Sequence, residues 1–246
     1  MLTKISIITV TYNCVNLIEE TILSVLKQDY PLKEFIIIDG ASDDGTIDMI
    51  QKHRESIAYF VSEPDKGIYD AMNKGLSKST GDWVFFLNAG DVFYSNSLLA
   101  DIIKNSDDKA NAYYGDIYYR RQERLELSKG NRPFWAPNHK YLSMGFNHQG
   151  VIVRSSMAKE FKFDLSYKCC ADYMMIYSIY RKYGHFNYLD MPFTIVEGRT
   201  GFSENNRSTQ RHEEAQILGI DNTLGFILYD KYVKLKEVIK RIINWK

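Results

Sequence analysis

Four short polar segments early in the chain each follow an apolar run, and their side chains are suited to binding a polar ligand. The segments are 11–13 (Thr-Tyr-Asn), 39–45 (Asp-Gly-Ala-Ser-Asp-Asp-Gly), 63–67 (Glu-Pro-Asp-Lys-Gly) and 88–91 (Asn-Ala-Gly-Asp). Any one of them could be an ordinary turn, because Asp, Asn and Gly favour turns. The chain has neither a G-x-G-x-x-G segment after its first apolar run nor a G-x-x-x-x-G-K-[ST] segment, which excludes a dinucleotide fingerprint and a P-loop. Four polar loops in succession favour a ligand cleft of another kind.

The apolar runs before these loops alternate with helical patterns. The predicted strands are 5–10, 35–38, 57–61 and 82–87, and the predicted helices are 16–28, a helix from Thr46, and 68–76. Parallel strands need crossover connections, so this alternation predicts an α/β fold with a parallel sheet and helices on both faces. Ligands of such sheets bind beyond the carboxyl ends of the strands, which is where the four loops lie.

Beyond Asp91 the pattern is less regular and predicts a mixed-sheet region in which strands turn back. Its predicted elements are a helix at 97–103, an aromatic strand at 113–119, a strand at 150–153, a helix at 170–183 and short strands within 186–196 that Pro192 interrupts. Residues 128–145 contain two prolines and two asparagines, which predicts an irregular, mobile loop. The polar stretch 199–207 is also predicted to be flexible.

The end of the chain predicts an amphipathic helix at 224–245. Leu228, Leu235 and Ile242 recur on one side at helical spacing, and the polar side is rich in lysine. Two interpretations remain open for this helix. It could pack on the domain with a solvated lysine face, or it could lie on an anionic membrane surface.

Composition narrows the class of protein. The 246 residues carry 31 Lys and Arg against 31 Asp and Glu, and this zero net charge argues against a protein that coats nucleic acid. No apolar stretch approaches the roughly 18 residues that span a bilayer, and the N-terminus lacks a signal-peptide pattern. Three cysteines, two of them adjacent, suit a reducing compartment. We therefore expect a cytoplasmic location, at the inner membrane surface if the last helix binds lipid.

Three of the segments resemble the signature segments of family 2 glycosyltransferases with the GT-A fold: 5–13, 36–46 and 81–91. A fourth, 65–75, resembles the stretch that leads a helix toward the donor sugar in that family. The resemblance is strong over 3–95 and looser over 145–200. It implies a three-layer α/β/α sandwich with a mixed, mostly parallel sheet. The domain would cover 1–205, with a nucleotide-binding half at 1–95 and an acceptor half at 96–205, and 206–246 would form a helical tail.

The resemblance implies transfer of a sugar from a nucleotide-diphospho-sugar to an acceptor hydroxyl, with inversion at the anomeric carbon and help from Mn²⁺ or Mg²⁺. UDP is favoured as the nucleotide, and the acceptor would be a sugar or a lipid-linked saccharide in surface polysaccharide assembly. The implied nucleotide-binding residues are Thr11, Tyr12, Asn13, Asp39 and Lys66. The implied donor-sugar residues are Asp70, Asn73 and Asn88, and the implied metal ligand is Asp91.

The same resemblance places the general base at Asp172 and the acceptor site at His148 and Gln149. Simpler explanations remain open for three of these residues. Asp172 could be an acid that only stabilises the start of a helix, His148 could be satisfied in the core, and Asp70 could cap a helix turn.

Two positions depart from the family pattern. Asp39 is followed by Gly40 rather than by a second acid, and the metal segment keeps only the carboxylate of Asp91. One carboxylate with phosphate oxygens and waters is a sufficient Mg²⁺ or Mn²⁺ shell, so we expect the cation to bind mainly with the donor. The alternative functions are a sugar nucleotidyltransferase and a catalytically inactive subunit that binds nucleotide sugars.

Overall fold

The computed structural model describes residues 3–122, 124–130, 145–197 and 206–243, with side chains described as far as residue 236. The strands are β1 (Ile5–Thr11), β2 (Lys33–Asp39), β3 (Tyr59–Ser62), β4 (Trp83–Phe86), β5 (Val92–Phe93), β6 (Ala112–Arg121), β7 (Arg124–Ser128), β8 (Val151–Arg154) and β9 (Phe186–Glu197). The helices are α1 (Ile18–Leu26), α2 (Thr46–Gln51), α3 (Ile68–Lys78), α4 (Leu98–Lys104), α5 (Ser155–Phe161), α6 (Ala171–Tyr183), α7 (Arg207–Ile217) and α8 (Leu224–Ile243). Short 3-10 helices span Arg54–Ser56 and His148–Gly150.

All nine strands belong to one sheet in the order β3-β2-β1-β4-β8-β6-β9-β5, with β7 paired to the outer part of β6. Strands β1, β2, β3, β4, β6 and β9 run in one direction, and β5, β7 and β8 run against them. Ile5 lies opposite Lys33 on one side and Trp83 on the other. The predicted mixed, mostly parallel sheet is confirmed.

Helices cover both faces of this sheet. Alternate residues of a strand point to opposite faces, so Ile7 packs in one core with α1 and α4, and Ile8 packs in the other with α3 and α6. Both faces of β1 are buried along its whole length, which explains its continuous apolar sequence. The predicted three-layer architecture is confirmed.

The carboxyl ends of the six codirectional strands form one edge of the sheet. Because β8 and β5 run the other way, their first residues lie at the same edge. The edge therefore receives the 3-10 helix before β8, which contains His148, and also Asp91, which directly precedes β5. Antiparallel strands thus bring late sequence segments to the cleft formed by the early loops.

The segment 186–196, predicted as short strands, forms one strand. Pro192 lies opposite Asp116, where the register between β6 and β9 shifts. A bulge tolerates a residue without an N–H, so proline interrupts the pairing without ending the strand. At the same place a Cβ on Gly115 would lie 2.2 Å from the Phe193 ring, so only glycine fits.

Helix α5 was not predicted, whereas α7 and α8 lie within the helical tail predicted at 206–246. Part of the charged stretch after Tyr119 pairs as the β6–β7 hairpin. Most of the loop predicted at 128–145, and most of the flexible stretch predicted at 199–207, lie outside the described residues.

The segment predicted as a tail begins with a helix that is packed on the domain. Glu213, Glu214 and Ala215 of α7 are buried, and Arg211 pairs at 2.9 Å with Asp230 of α8. Helix α8 contacts α7, and over residues 224–236 most of its side chains are exposed. No helix among the described residues is both long and apolar enough to cross a membrane. The domain boundary at residue 205 stays a prediction.

Candidate active site

The loop after β1 presents an aromatic ring at the carboxyl edge. Tyr12 is 63% exposed. Asn13 adopts a positive φ of 50°, which asparagine tolerates better than most residues. Its Oδ1 accepts from the N–H of Asp43 at 3.0 Å, and its own N–H donates to Ser42 Oγ at 2.8 Å. Asn13 therefore ties the loops after β1 and β2 together, while Tyr12 is free to contact a ligand. Thr11 is buried, and within the described residues its hydroxyl oxygen has no partner.

Asp39 lies at the end of β2 and is fully buried. Its carboxylate accepts from the N–H and the hydroxyl of Ser42, at 2.9 and 2.5 Å, and from the hydroxyl of Ser62 at 2.6 Å. In this structure Asp39 therefore shapes the loop. Its role in nucleotide binding stays a prediction, and it would require one of these hydroxyls to give way to the base.

Gly40 lies in a narrow place between two side chains of the edge. A Cβ at this position would lie 2.7 Å from Asp65 Oδ2 and 3.3 Å from Cδ2 of Tyr12. The departure at Gly40 thus has a physical reason, since a side chain there would push the acid and the ring apart. Tyr12, the Gly40 backbone and Asp65 thus lie next to one another at this edge.

The start of α3 is held by its own polar residues. Asp70 accepts the N–H of Lys66 at 3.0 Å and lies 3.8 Å from the ammonium of Lys74, so the capping alternative for Asp70 is what the structure shows. Asn73 donates to the carbonyl of Phe163 at 2.8 Å and accepts its N–H at 2.9 Å. The Lys66 side chain is exposed at the edge. Contacts of Asp70 and Asn73 with a donor sugar stay predictions, and each would compete with a bond described here.

Asp91 closes a tight turn in which Gly90 has a φ of 98°. Its carboxylate is almost completely buried, and Oδ1 accepts the N–H of Glu197 at 3.1 Å. Burial raises the pKa of Asp91 to about 7. In the same turn, the Asn88 side-chain oxygen is buried without a hydrogen-bond partner among the described residues. A carboxylate next to an unpaired amide oxygen fits a hard cation or a sugar hydroxyl.

Positive charge reaches the same place from β6. Arg120 makes a double hydrogen bond to Glu20 of α1, at 2.7 and 2.8 Å, and lies 3.9 Å from Glu197. It also lowers the pKa of Asp91, against the larger effect of burial. A guanidinium held by one acid and close to two others can also face an anionic ligand.

Asp172 lies in the first turn of α6 and is buried. Its Oδ2 is 2.7 Å from Nδ1 of His148, and its Oδ1 accepts the hydroxyl of Tyr69 at 3.0 Å. Burial opposes ionisation, but the positive charge and hydrogen bond of His148 outweigh it and hold the pKa of Asp172 below its usual value. Burial likewise opposes a charged His148, yet the Asp172 carboxylate raises the pKa of the imidazole. Each residue therefore stabilises the charged form of the other.

His148 also senses the negative charge of Asp91, which further raises its pKa. The imidazole is therefore close enough to both the predicted metal ligand and the predicted base to be affected by their charges. The next residue, Gln149, has a buried side-chain oxygen without a partner in the described part of the chain, while its main-chain carbonyl accepts the hydroxyl of Thr194 at 2.9 Å. Asp91, His148, Gln149 and Asp172 thus come together, as a cleft requires.

One buried acid that supports this site was not among the residues predicted from the sequence. The carboxylate of Glu213, on α7, accepts three successive backbone N–H groups, those of Lys168, Cys169 and Cys170, at 2.7 to 2.9 Å. These residues directly precede α6, so Glu213 fixes the start of the helix that carries Asp172. The polar sequence of α7 lacks an apolar stripe that could have revealed this contact.

Residues that could enclose a metal by themselves are absent from the described ranges, where His, Cys, Asp and Glu nowhere form a group of three suited to an ion. A cation at Asp91 would need further oxygens from its ligand.

Comparisons with known proteins identify the family. The model of the family described as glycosyl transferase family 2 matches residues 6–182. An uncharacterized glycosyltransferase of Mycobacterium tuberculosis is 30% identical over 173 residues, which cover 68% of this chain and 65% of the relative. The match therefore spans somewhat less than two thirds of that relative's length. TuaG of Bacillus subtilis, provisionally described as a teichuronic acid biosynthesis glycosyltransferase, is 38% identical over 97 residues, 38% of each chain.

Solved structures share the fold. TarS of S. aureus in complex with UDP-GlcNAc has a TM-score of 0.70 at 19% identity, over 87% of this chain and 66% of that one. The mannosyltransferase PcManGT of Pyrobaculum calidifontis, in complex with GDP-Man and Mn²⁺, has a TM-score of 0.67 at 19% identity, over 88% and 63%. The predicted GT-A fold is confirmed, and the chain belongs to glycosyl transferase family 2.

Proposed function

We propose that this family 2 protein transfers a sugar from a nucleotide-diphospho-sugar to an acceptor hydroxyl, with a divalent cation and inversion at the anomeric carbon. Beyond family membership, one observation carries the proposal. Asp91 and Asp172, separated along the chain, both act on His148: the Asp172 carboxylate lies 2.7 Å from its Nδ1, and the charge of Asp91 also raises the pKa of its imidazole. Inverting transfer needs a cation site at the leaving group and a base on the opposite face of the sugar.

The nucleotide is placed against the first two loops. The exposed ring of Tyr12 offers a stacking face, and Asp65 lies beside Gly40 at the same surface. The exposed ammonium of Lys66 and the guanidinium of Arg120 supply positive charge for a diphosphate. UDP is the first nucleotide to test, because UDP-GlcNAc is the ligand of the similar TarS structure. The buried, unpaired oxygen of Asn88 is suited to a hydroxyl of the donor sugar.

A divalent cation would be held by Asp91. When bound, such an ion neutralises the charge that collects on the departing diphosphate. The donor set favours Mn²⁺ or Mg²⁺, since the available protein ligands are oxygens. Because one carboxylate is a weak site, the ion and the nucleotide should bind together.

Asp172 supplies the negative charge for proton removal. It is anchored from two sides, by Tyr69 and by His148, and its helix start is fixed by Glu213. The unpaired oxygen of Gln149 adds an acceptor for a second hydroxyl of the incoming saccharide. An attack from this side, opposite the diphosphate, inverts the anomeric carbon.

The acceptor side of the proposal includes an anionic lipid surface. On α8, Leu224, Leu228 and Leu235 are exposed at helical spacing, whereas Phe226 and Asp230, on the opposite side, are buried. Exposed lysines adjoin the apolar stripe: Lys231, Lys234 and Lys236. An apolar stripe bordered by ammonium groups matches the interior and the headgroups of an anionic leaflet. A lipid-linked saccharide, such as surface polysaccharide assembly uses, would meet the enzyme there.

The decisive experiment measures release of nucleoside diphosphate from UDP-GlcNAc, UDP-glucose and GDP-mannose with saccharide acceptors, with Mn²⁺ and with EDTA. We expect one donor to react in a cation-dependent way, and NMR of the product to show the inverted anomer. Asp190→Asn is a matched control, because its carboxylate is exposed and contacts Lys129 and Tyr188 rather than the His148–Asp172 pair. A retained anomeric configuration, or equal rates with EDTA, would contradict the proposed mechanism.

The membrane contact is tested by sedimentation with vesicles. A Leu228→Ser, Leu235→Ser double variant should bind less to phosphatidylglycerol vesicles than the unmodified chain does, and neither should bind phosphatidylcholine strongly. Leu125→Ser, at an exposed leucine of the β6–β7 hairpin, is the control. Equal sedimentation of all three proteins would exclude α8 as a lipid-binding helix.

A further inference from the structure

The proton of the acceptor hydroxyl must pass to an atom that faces the acceptor. The carboxylate of Asp172 is poorly placed for this, because Oδ2 is bound to His148 and Oδ1 to Tyr69. The backbone N–H of Tyr173 adds a further hydrogen bond to the carboxylate. Only 11% of the Asp172 side chain is exposed, against 28% of the His148 side chain. Of the two side chains, the imidazole is the more exposed.

The ring of His148 is held in one orientation. Nδ1 is bound to Asp172 at 2.7 Å, and Nε2 has no hydrogen-bond partner in the described part of the chain. The 3-10 helix that carries His148 is closed by Asn147, whose side chain accepts the N–H of Gln149 at 3.0 Å and donates to the Tyr119 hydroxyl at 2.7 Å. When the ring is neutral, a bond from Nδ1 to a carboxylate fixes the tautomer that carries its proton on Nδ1, and the Nε2 lone pair is then available to accept a proton.

The pair lines a small, partly open cavity. His148 and Asp172 are its polar members, and its other walls include Met72, Phe86 and Phe163. Because those walls are apolar, the imidazole and the carboxylate are the groups of this cavity that can accept a proton.

We propose that Nε2 of His148 is the atom that accepts the proton of the acceptor hydroxyl, and that Asp172 acts through it by holding the ring and stabilising the imidazolium. This inference rests on the proposed function. In the step, the acceptor O–H bond breaks and its proton binds Nε2, while the oxygen electron pair forms the bond to the anomeric carbon. The bond from that carbon to the diphosphate breaks and its electrons leave with the diphosphate. The imidazolium then returns its proton to solvent.

In this arrangement His148 is a base that a buried acid, Asp172, orients. The carboxylate strengthens the imidazole as a base, in line with the raised pKa of His148. Two other assignments make different predictions. If Asp172 takes the proton directly, the enzyme does not need His148 for a normal rate. If Nε2 binds the cation together with Asp91, removing the ring changes the Mn²⁺ concentration that the reaction requires.

The test uses the full-length protein and the donor and acceptor with which the unmodified enzyme reacts. His148→Ala should lower kcat by about 10²- to 10⁴-fold, the usual contribution of a general base, with UDP affinity and the Mn²⁺ concentration for half-maximal rate unchanged within about twofold. Added imidazole should raise the rate of His148→Ala by at least about tenfold, because it can occupy the vacated space and accept the proton. His53→Ala, at a histidine remote from the site, should show neither loss nor rescue.

Imidazole should not rescue Asp172→Asn, in which the ring is present but has lost its carboxylate. Folding of the variants is checked by circular dichroism, and His148→Gln replaces His148→Ala if the latter does not fold. His148→Gln should show the same loss of kcat, and imidazole should not restore it because the glutamine side chain fills the site. A His148→Ala rate within about threefold of the original, or loss without imidazole rescue, would overturn the proposal. A raised Mn²⁺ requirement would also overturn it, by assigning Nε2 to the cation. If the unmodified chain reacts with no donor, the proposed function fails as well; if it reacts and these variants do not behave as described, only the present inference fails.

Discussion

Glu213 makes the stability of the fold dependent on one carboxylate from the C-terminal region. Its two oxygens accept three N–H groups of residues 168–170 at 2.7 to 2.9 Å, and the residue is 7% exposed. Hydrogen bonds to a charged group contribute roughly 1.5–3 kcal/mol each. The three are not additive, since water can reach part of the vacated space. We therefore expect Glu213→Ala to lower the free energy of unfolding by about 3–5 kcal/mol, the usual cost of breaking a buried charged contact.

The measurement is urea unfolding followed by circular dichroism, with thermal unfolding beside it. For a chain of this size about 1 kcal/mol corresponds to roughly 2–4 °C, so the midpoint should fall by roughly 6–20 °C. Glu213→Gln keeps one acceptor oxygen and should lose about half as much free energy. Glu160→Ala removes an exposed carboxylate paired with Lys182 and should leave the midpoint nearly unchanged. A Glu213→Ala loss below about 1 kcal/mol would refute the reasoning.

Three further predictions concern the site. Burial raises the pKa of Asp91 from 3.8 to about 7. The stability that the protonated carboxyl contributes is therefore complete below about pH 4 and is lost as the pH rises to about 7. Without divalent cation, Asp91→Asn should become more stable than the original chain over that range, by up to roughly 4 kcal/mol in chemical denaturation. Asp172→Asn should abolish transfer and leave UDP affinity in calorimetry unchanged, and substantial remaining turnover would exclude its role. Gly40→Ala should weaken UDP binding, because its Cβ displaces Asp65 from the surface beside Tyr12, and unchanged affinity would remove that surface from the nucleotide site.

Some predicted ligand contacts stay predictions because the structure shows these residues hydrogen-bonded to other protein groups. Asp39 is fully buried by hydroxyls of the neighbouring loops, and Asn73 uses both ends of its amide on Phe163. Spacing along the chain placed these residues at the correct edge. It could not show which neighbours compete for their hydrogen bonds, because those neighbours come from other segments.

The sequence by itself determined the layers and the edge at which the chemistry lies. Alternating strand and helix periods, together with the right-handed crossover, leave few ways to arrange the first half, so the loop ending at Asp91 had to meet the loop containing Tyr12. Only the tertiary structure decided which groups touch. Tyr69 and Asp172 lie 103 positions apart, and Glu213 reaches Lys168 across 45. Such contacts depend on how helices pack against the sheet and on which strands run backwards, and neither local propensity nor spacing encodes them. The pairing of His148 with Asp172, on which the proposed proton transfer rests, is of this second kind.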